Sequence, residues 1–105
     1  MTLWFNAKCS KCQQTRALLE SRKVTFNLRA YLDEPPTQME LEALVTKLGD
    51  DWPKMIRPEA GLKSPTRDQV ISAIAADTKL LERPILETSD RAVLARPPEL
   101  ALKLV

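Results

Sequence analysis

The chain's only two cysteines, Cys9 and Cys12, are separated by two residues in the stretch "NAKCSKCQQTRALLE". A zinc ion takes about four ligands, commonly cysteine and histidine, and this chain offers two cysteines and no histidine. A disulfide that closes so short a loop restrains little of the unfolded chain. Two inert buried thiols stay open as an explanation, but the spacing favours thiol redox chemistry.

The position of Cys9 predicts how its thiol becomes reactive. It lies between a predicted strand and a predicted helix, where ligands tend to bind in an α/β sheet. The free N–H groups and positive dipole end of the helix favour a thiolate, and Lys8 and Lys11 add positive charge. These effects lower the pKa of the Cys9 thiol, and the thiolate is the nucleophile. Cys12 lies one helical turn further on, within reach as a resolving thiol.

The composition excludes several other functions. The absence of histidine removes Ser-His-Asp and Cys-His catalysis and histidine-ligated zinc. Sixteen basic and 14 acidic residues leave a net charge of +2, too balanced for direct nucleic-acid binding. No apolar run is long enough for a membrane helix, and the first residues do not resemble a secretory signal. We therefore expect a cytoplasmic protein without a membrane partner, in which a catalytic disulfide is allowed.

The first third of the chain predicts a βαβ unit with a right-handed crossover. Residues 2–5 are a short apolar run typical of a buried strand. A helix is expected from about Ser10, with Ala17 and Leu18 on its apolar face. Residues 24–32 then alternate apolar and polar side chains with the period of a strand.

The middle of the chain predicts a capped helix and a loop. Thr37 comes three residues before Glu40, which is a capping-box pattern, and apolar residues at helical spacing follow until the stop at Gly49. The inward positions of this helix are Met39, Leu41, Leu44, Val45 and Leu48. The proline-rich stretch 51–64 predicts a brief helical turn and a loop.

The last part of the chain predicts a helix, two strands and a final helix. The stretch 64–81 is expected to be a helix capped at Thr66. Its inward positions are Val70, Ile71, Ile74 and Ala75. Residues 83–88 and 91–96 are short apolar strands around a turn, which indicates a hairpin. Residues 97–105 predict a helix with proline in its first turn.

Four segments resemble, in order, segments of one known family. They are "LWFNAKCSKCQQTRALLE", "YLDEPPTQMELEAL", "MIRPEAGL" and "ERPILETSDRAVLARPPELAL", and the family is that of the glutaredoxin-type arsenate reductases (ArsC), with its Spx-like members. The Tyr-Leu-x-x-Pro-Pro segment and the two Arg-Pro pairs are its most specific parts. The resemblance implies a thioredoxin-like α/β fold. We expect a single domain over residues 1–105, with a mixed four-stranded sheet and a helical insertion at about 34–82, between the second and third strands.

The resemblance also implies roles for individual residues. Cys9 corresponds to the nucleophile that attacks As(V). The arginines that hold the oxyanion correspond to Arg57, Arg83 and Arg96, and Pro84 corresponds to a cis-proline facing the active-site loop. Guanidinium groups suit this role because they bind oxyanions bidentately. The arginines expected to be solvated surface charges are Arg22, Arg29, Arg67 and Arg91.

Three hypotheses follow. In the first, the protein reduces arsenate, with glutathione as co-substrate, glutaredoxin or thioredoxin as partner, and no bound cofactor or metal. In the second, Cys9 and Cys12 act together as a thiol-disulfide reductase on glutathione mixed disulfides or protein disulfides, since a second thiol is typical of those branches of the family. In the third, the protein is a redox regulator that binds RNA polymerase, as Spx-like members do.

Overall fold

Four strands form one mixed sheet in the computed structural model, which describes residues 1–105. They are β1 (Thr2–Phe5), β2 (Asn27–Ala30), β3 (Ile85–Glu87) and β4 (Ala92–Leu94). Their spatial order is β2-β1-β3-β4. β1 is parallel to β2 and antiparallel to β3, and β3 is antiparallel to β4. The predicted mixed four-stranded α/β sheet is therefore confirmed.

Three α-helices and four short 3-10 helices surround the sheet. The α-helices are α1 (Ser10–Ser21), α2 (Gln38–Leu48) and α3 (Arg67–Ala76). The 3-10 helices are Gly49–Met55, Pro58–Ala60, Thr78–Leu80 and Pro98–Leu104. Both α2 and α3 follow β2 and precede β3 in the chain. No helix combines the length and the apolar character that crossing a membrane requires.

The strand predicted over residues 24–32 is too long, and the expected alternation does not continue to its end. Only Asn27–Ala30 pair, because β2 is an edge strand whose one neighbour, β1, is itself four residues long. Leu28 and Leu32 are 41% and 43% exposed, whereas Tyr31 is fully buried. The chain turns directly after β2, with the Asp33 N–H donating to the Ala30 carbonyl at 3.0 Å. That turn directs Tyr31 into the core in place of its apolar neighbours.

Reciprocal capping begins both helices of the insertion. The Thr37 hydroxyl accepts from the Glu40 N–H at 3.2 Å and the Glu40 carboxylate accepts from the Thr37 N–H at 2.9 Å, which confirms the predicted capping box. Thr66 and Gln69 form the same motif at the start of α3. Such a cap contributes about 1 kcal/mol to the stability of a helix.

Four details of the predicted helices are wrong. Met39, in the first turn of α2, is 79% exposed, because the buried stripe of that helix begins two residues later. Ala17 and Ala75 are exposed as well, since the faces of α1 and α3 that reach the core are narrow. α3 ends at Ala76 because Asp77 is extended, and the last segment is a 3-10 helix.

The sheet separates two apolar clusters. One joins β1 and β3 to α2 and α3, with Trp4, Tyr31 and Ile85 among its fully or almost fully buried members. The other lies between the sheet, α1 and the C-terminal 3-10 helix, and it includes Leu19 and Cys12. Burying one large apolar side chain contributes about 1.5–3 kcal/mol. The two clusters together hold rigid the end of β1 from which the cysteine loop emerges.

A polar network on β2 corrects the prediction that Arg29 is a solvated surface charge. Its guanidinium binds the Glu40 carboxylate at 2.6 and 3.0 Å, and its central carbon lies 4.9 Å from the centroid of the Trp4 ring. The indole N–H of Trp4 donates to Glu87 at 3.0 Å. Arg29 therefore ties the edge strand to α2.

Candidate active site

Backbone and side-chain hydrogen bonds hold the loop between β1 and α1. The Cys9 N–H donates to the Asn6 carbonyl at 3.0 Å, and the Lys8 N–H donates to the Asn6 side-chain oxygen at 3.0 Å. From α1, the Gln13 side chain donates to the Ala7 carbonyl at 2.8 Å. Cys9 is the N-cap residue of α1, as the sequence predicts. Its half-buried thiol is thus presented at a fixed position at the positive end of the helix dipole.

The surroundings of Cys9 favour the thiolate. Partial burial alone would raise the pKa of its thiol, but the Cys12 backbone N–H and side chain, the Arg83 guanidinium and the Lys11 backbone N–H outweigh it. The net result is a pKa below the ordinary value for cysteine. The sequence predicts a lowered pKa, but it attributes part of the shift to the side-chain charges of Lys8 and Lys11. In the structure Lys11 acts through its backbone N–H, and the Lys8 side chain is exposed.

Cys12 has the opposite character. Its side chain is fully buried, and burial followed by the neighbouring Cys9 raises the pKa of the Cys12 thiol to about 12. The Asn6 N–H approaches its sulfur at 3.5 Å. The two thiols therefore differ in character, since Cys9 is the one suited to nucleophilic attack and Cys12 is the one that keeps its proton.

Backbone pairing between segments that lie far from the cysteine loop in the chain brings the predicted arginines together. The segments around Ile56 and Leu81 form an antiparallel bridge, in which the Arg57 N–H donates to the Leu80 carbonyl at 2.7 Å. Arg57 is thereby placed opposite Glu82. At the other side, the Ala95 N–H donates to the Pro84 carbonyl at 2.9 Å, which sets Arg96 beside Arg83. The peptide bonds before Pro84 and Pro97 are both cis.

One carboxylate organises two of the three arginines. Glu82 Oε1 accepts from Arg57 Nη1 at 2.8 Å and from Arg96 Nη1 at 2.9 Å. Arg57 also gives its Nε to the exposed Glu59 at 2.6 Å. Arg83 makes no salt bridge to a carboxylate, and it is the arginine that lowers the pKa of the Cys9 thiol. The predicted trio thus divides into one arginine at the thiol and two joined through Glu82.

Two buried donors at the site lack a protein partner. They are the Nε of Arg83 and the hydroxyl of Tyr31. Burial raises the pKa of the Tyr31 phenol, so this hydroxyl carries its proton, while the Arg83 charge opposes that shift. A buried donor without an acceptor costs about 1–3 kcal/mol. Such donors are therefore suited to a ligand that supplies the missing oxygen atoms.

Sequence reasoning missed Glu82, Tyr31 and Asn6. Glu82 directly precedes the Arg-Pro pair at 83, so a carboxylate within the arginine cluster was a readable signal. Tyr31 lies in the segment that carries the family resemblance, but nothing local predicts that it turns inward. The contact of Asn6 with the Cys12 sulfur depends on the conformation of the loop.

The fold and the thiol together define a thioredoxin-like, thiol-dependent oxidoreductase. A family model described as the ArsC family matches residues 4–104. An arsenate reductase of Haemophilus influenzae is 34% identical over 112 residues, covering 98% of this chain and 97% of the relative. One of Neisseria meningitidis is 36% identical over 110 residues, covering 92% and 91%.

A solved structure agrees with these relatives. An arsenate reductase from Vibrio cholerae superposes with a TM-score of 0.88 at 32% identity, covering 100% of this chain and 98% of that one. The chain belongs to the ArsC family, as the resemblance implies.

Proposed function

We propose that this protein reduces arsenate to arsenite through the Cys9 thiolate. The observation that carries the proposal is the pairing of an activated thiol with a partly buried guanidinium whose buried Nε has no partner. Guanidinium groups bind tetrahedral oxyanions well. Arsenate reductases that resemble this chain over nearly their whole length support arsenate as the oxyanion.

The chemistry balances with two thiols. The Cys9 sulfur attacks As(V), and one arsenate oxygen leaves as water after protonation, which gives a sulfur–arsenic(V) bond. A glutathione thiolate then attacks the Cys9 sulfur, the two electrons of the sulfur–arsenic bond pass to arsenic, and arsenite departs. A mixed disulfide between Cys9 and glutathione remains, which glutaredoxin reduces. Arg83 stabilises the negative charge that develops on the arsenate oxygens.

Cys12 offers a second route out of the adduct. Its protonated thiol lies next to Cys9, and after deprotonation it can take the place of glutathione and leave a Cys9–Cys12 disulfide. An open cleft of about 330 Å³, lined in part by Asn6, Lys8 and Asp33, borders the loop and offers room for a small thiol co-substrate. A cytoplasmic location belongs to the proposal, because glutathione keeps thiols reduced there.

A coupled assay tests this function. The purified protein is given arsenate, glutathione and glutaredoxin, with glutathione reductase linking turnover to NADPH oxidation. Wild-type protein should turn over, and Cys9→Ser should lose at least about a thousandfold in rate, as expected for a nucleophile. Cys12→Ser is the matched control, and it should keep turnover when glutathione is present. Wild-type activity no higher than that of Cys9→Ser would reject the proposal.

The dithiol supports a second candidate, a thiol-disulfide reductase. The opposed pKa shifts of Cys9 and Cys12 suit attack on a mixed disulfide followed by closure of an internal one. Mild oxidation should remove two hydrogens, a loss of about two daltons by mass spectrometry, and a glutathione redox buffer should then set its potential. The regulator hypothesis stays a prediction, for which co-purification with RNA polymerase without turnover is the test.

A further inference from the structure

Glu82 lies at the centre of the arginine cluster although nothing in the proposed reaction uses it. Its side chain is only 13% exposed. A single oxygen, Oε1, accepts from Arg57 Nη1 at 2.8 Å, from Arg96 Nη1 at 2.9 Å and from the Arg83 backbone N–H at 3.3 Å. One carboxylate oxygen thus occupies a position where three donors converge, as an oxygen of a bound anion would.

The net charge of the pocket around the Cys9 thiol can be counted from these contacts. When Cys9 is a thiolate, its negative charge and that of Glu82 leave one net positive charge among the three arginines. Glu59 also pairs with Arg57, but its side chain is 61% exposed, so solvent screens it. A singly charged ligand would neutralise this pocket, whereas a doubly charged one would leave an uncompensated negative charge beside partly buried groups.

We propose that Glu82 is a specificity-determining residue, whose carboxylate disfavours doubly charged oxyanions relative to singly charged ones of the same shape. The inference deepens the proposed function, because it concerns the same pocket and rests on an oxyanion binding there. For a substrate that exchanges a proton near neutral pH, such as arsenate, it names the singly charged form as the preferred ligand.

Replacing one atom tests the charge of Glu82 separately from its geometry. Glu82→Gln keeps Oε1, so all three hydrogen bonds can remain while the negative charge is removed. Glu59→Gln is the matched control, since it neutralises a carboxylate on the same Arg57 at an exposed position. The probes are sulfate, a tetrahedral dianion, and sulfamate, a tetrahedral monoanion. The readout is the anion concentration that half-protects Cys9 from iodoacetamide at constant ionic strength.

The expected result is a change in the ratio of the two probes. Glu82→Gln should lower the half-protecting concentration of sulfate about tenfold and that of sulfamate about threefold, because the dianion feels the removed charge twice. Glu59→Gln should change either value by less than about twofold. The inference is overturned if Glu82→Gln weakens sulfate, improves both probes equally, or if neither anion protects Cys9 in any variant.

Two further arms keep the inference falsifiable. If Glu82→Gln does not fold, the wild type decides, because protection by sulfate at lower concentration than sulfamate would overturn the inference. Protection does not require turnover, so a protein that favours sulfamate but turns over no arsenate would reject the proposed function and support the inference. Arsenate turnover together with protection indifferent to Glu82 would reject the inference alone.

Discussion

Arg29 and Arg83 use their donors in opposite ways, although both are partly buried. Arg29 gives its Nε to a backbone carbonyl at 3.0 Å, binds Glu40 with two nitrogens and stacks on Trp4. Arg83 makes no ion pair, and its buried Nε has no partner. Arg29 uses its donors within the protein, whereas Arg83 keeps a buried donor without a partner.

The difference shows how one residue type serves two purposes. Hydrogen bonds between charged groups contribute about 1.5–3 kcal/mol, while an unpaired buried donor costs about 1–3 kcal/mol. Arg29 therefore stabilises the fold at the edge of the sheet, whereas Arg83 contributes little to stability and keeps a buried donor without a partner. Removing Arg29 should therefore reduce stability, and removing Arg83 should reduce activity.

The largest effect should follow Arg83→Ala. We expect arsenate kcat/KM to fall about 10²–10³-fold, as when a preorganised donor to a developing negative charge is removed. Urea unfolding should stay close to wild type, because Arg83 makes no salt bridge to a carboxylate and its buried Nε has no partner to lose. Arg83→Lys, which keeps the charge but not the planar guanidinium, is the control, and its kcat/KM should lie between those of wild type and Arg83→Ala. Full activity in Arg83→Ala would remove the contrast.

Arg29→Ala should show the reverse. The free energy of unfolding should fall by about 1–2 kcal/mol, a value reduced for partial solvent exposure, while kcat/KM stays within about twofold of wild type. Arg22→Ala, at an exposed arginine of the same chain, is the matched control and should leave both unchanged. An activity loss larger than the stability loss would mean that Arg29 reaches the site after all.

Acidification should reduce the Arg29 effect. The Arg29 guanidinium lowers the pKa of the Glu40 carboxyl below its ordinary value. A depressed folded-state pKa contributes stability above the unfolded pKa of about 4.3 and loses it as pH falls through the folded value. The difference in unfolding free energy between wild type and Arg29→Ala should therefore shrink below about pH 4. A constant difference from neutral to acidic pH would contradict the ion pair.

The smallest expected effect concerns Tyr31→Phe. Removing an unpaired buried hydroxyl should leave the free energy of unfolding unchanged within about 0.5 kcal/mol. The half-protecting concentration of sulfate should rise about three- to tenfold if the hydroxyl donates to the anion. Destabilisation by more than about 1 kcal/mol would show that the hydroxyl has a partner in the folded protein.

Local signals predicted the parts of this structure that local contacts build. The Thr37 and Glu40 capping box lies within four consecutive residues, and the position of Cys9 needs only β1 and α1 in order. The inward turn of Tyr31 depends on the edge position of β2, which no local pattern encodes. The placement of Arg57 beside Glu82 depends on a bridge between segments 25 residues apart in the chain.

The same limit applies to the candidate site. The spacing of the cysteines and their place before α1 pointed to Cys9, and the family resemblance pointed to the three arginines. The roles of these residues stay predictions. The resemblance did not predict that Arg57 and Arg96 share the Glu82 carboxylate, because this depends on which side chains form hydrogen bonds in the fold. The net charge of the pocket was misjudged for this reason, since the partly buried Glu82 carboxylate offsets one of the three positive charges read from the sequence.

The pH dependence of Cys9 alkylation, compared between wild type and Arg83→Ala, shows directly whether Arg83 lowers the pKa of the Cys9 thiol. Modification is followed at Cys9 by mass spectrometry, so the buried Cys12 does not contribute. We expect a wild-type midpoint below the ordinary cysteine pKa of about 8.5 and a higher midpoint in Arg83→Ala. Equal midpoints in the two proteins, or a wild-type midpoint at or above the ordinary value, would contradict this expectation.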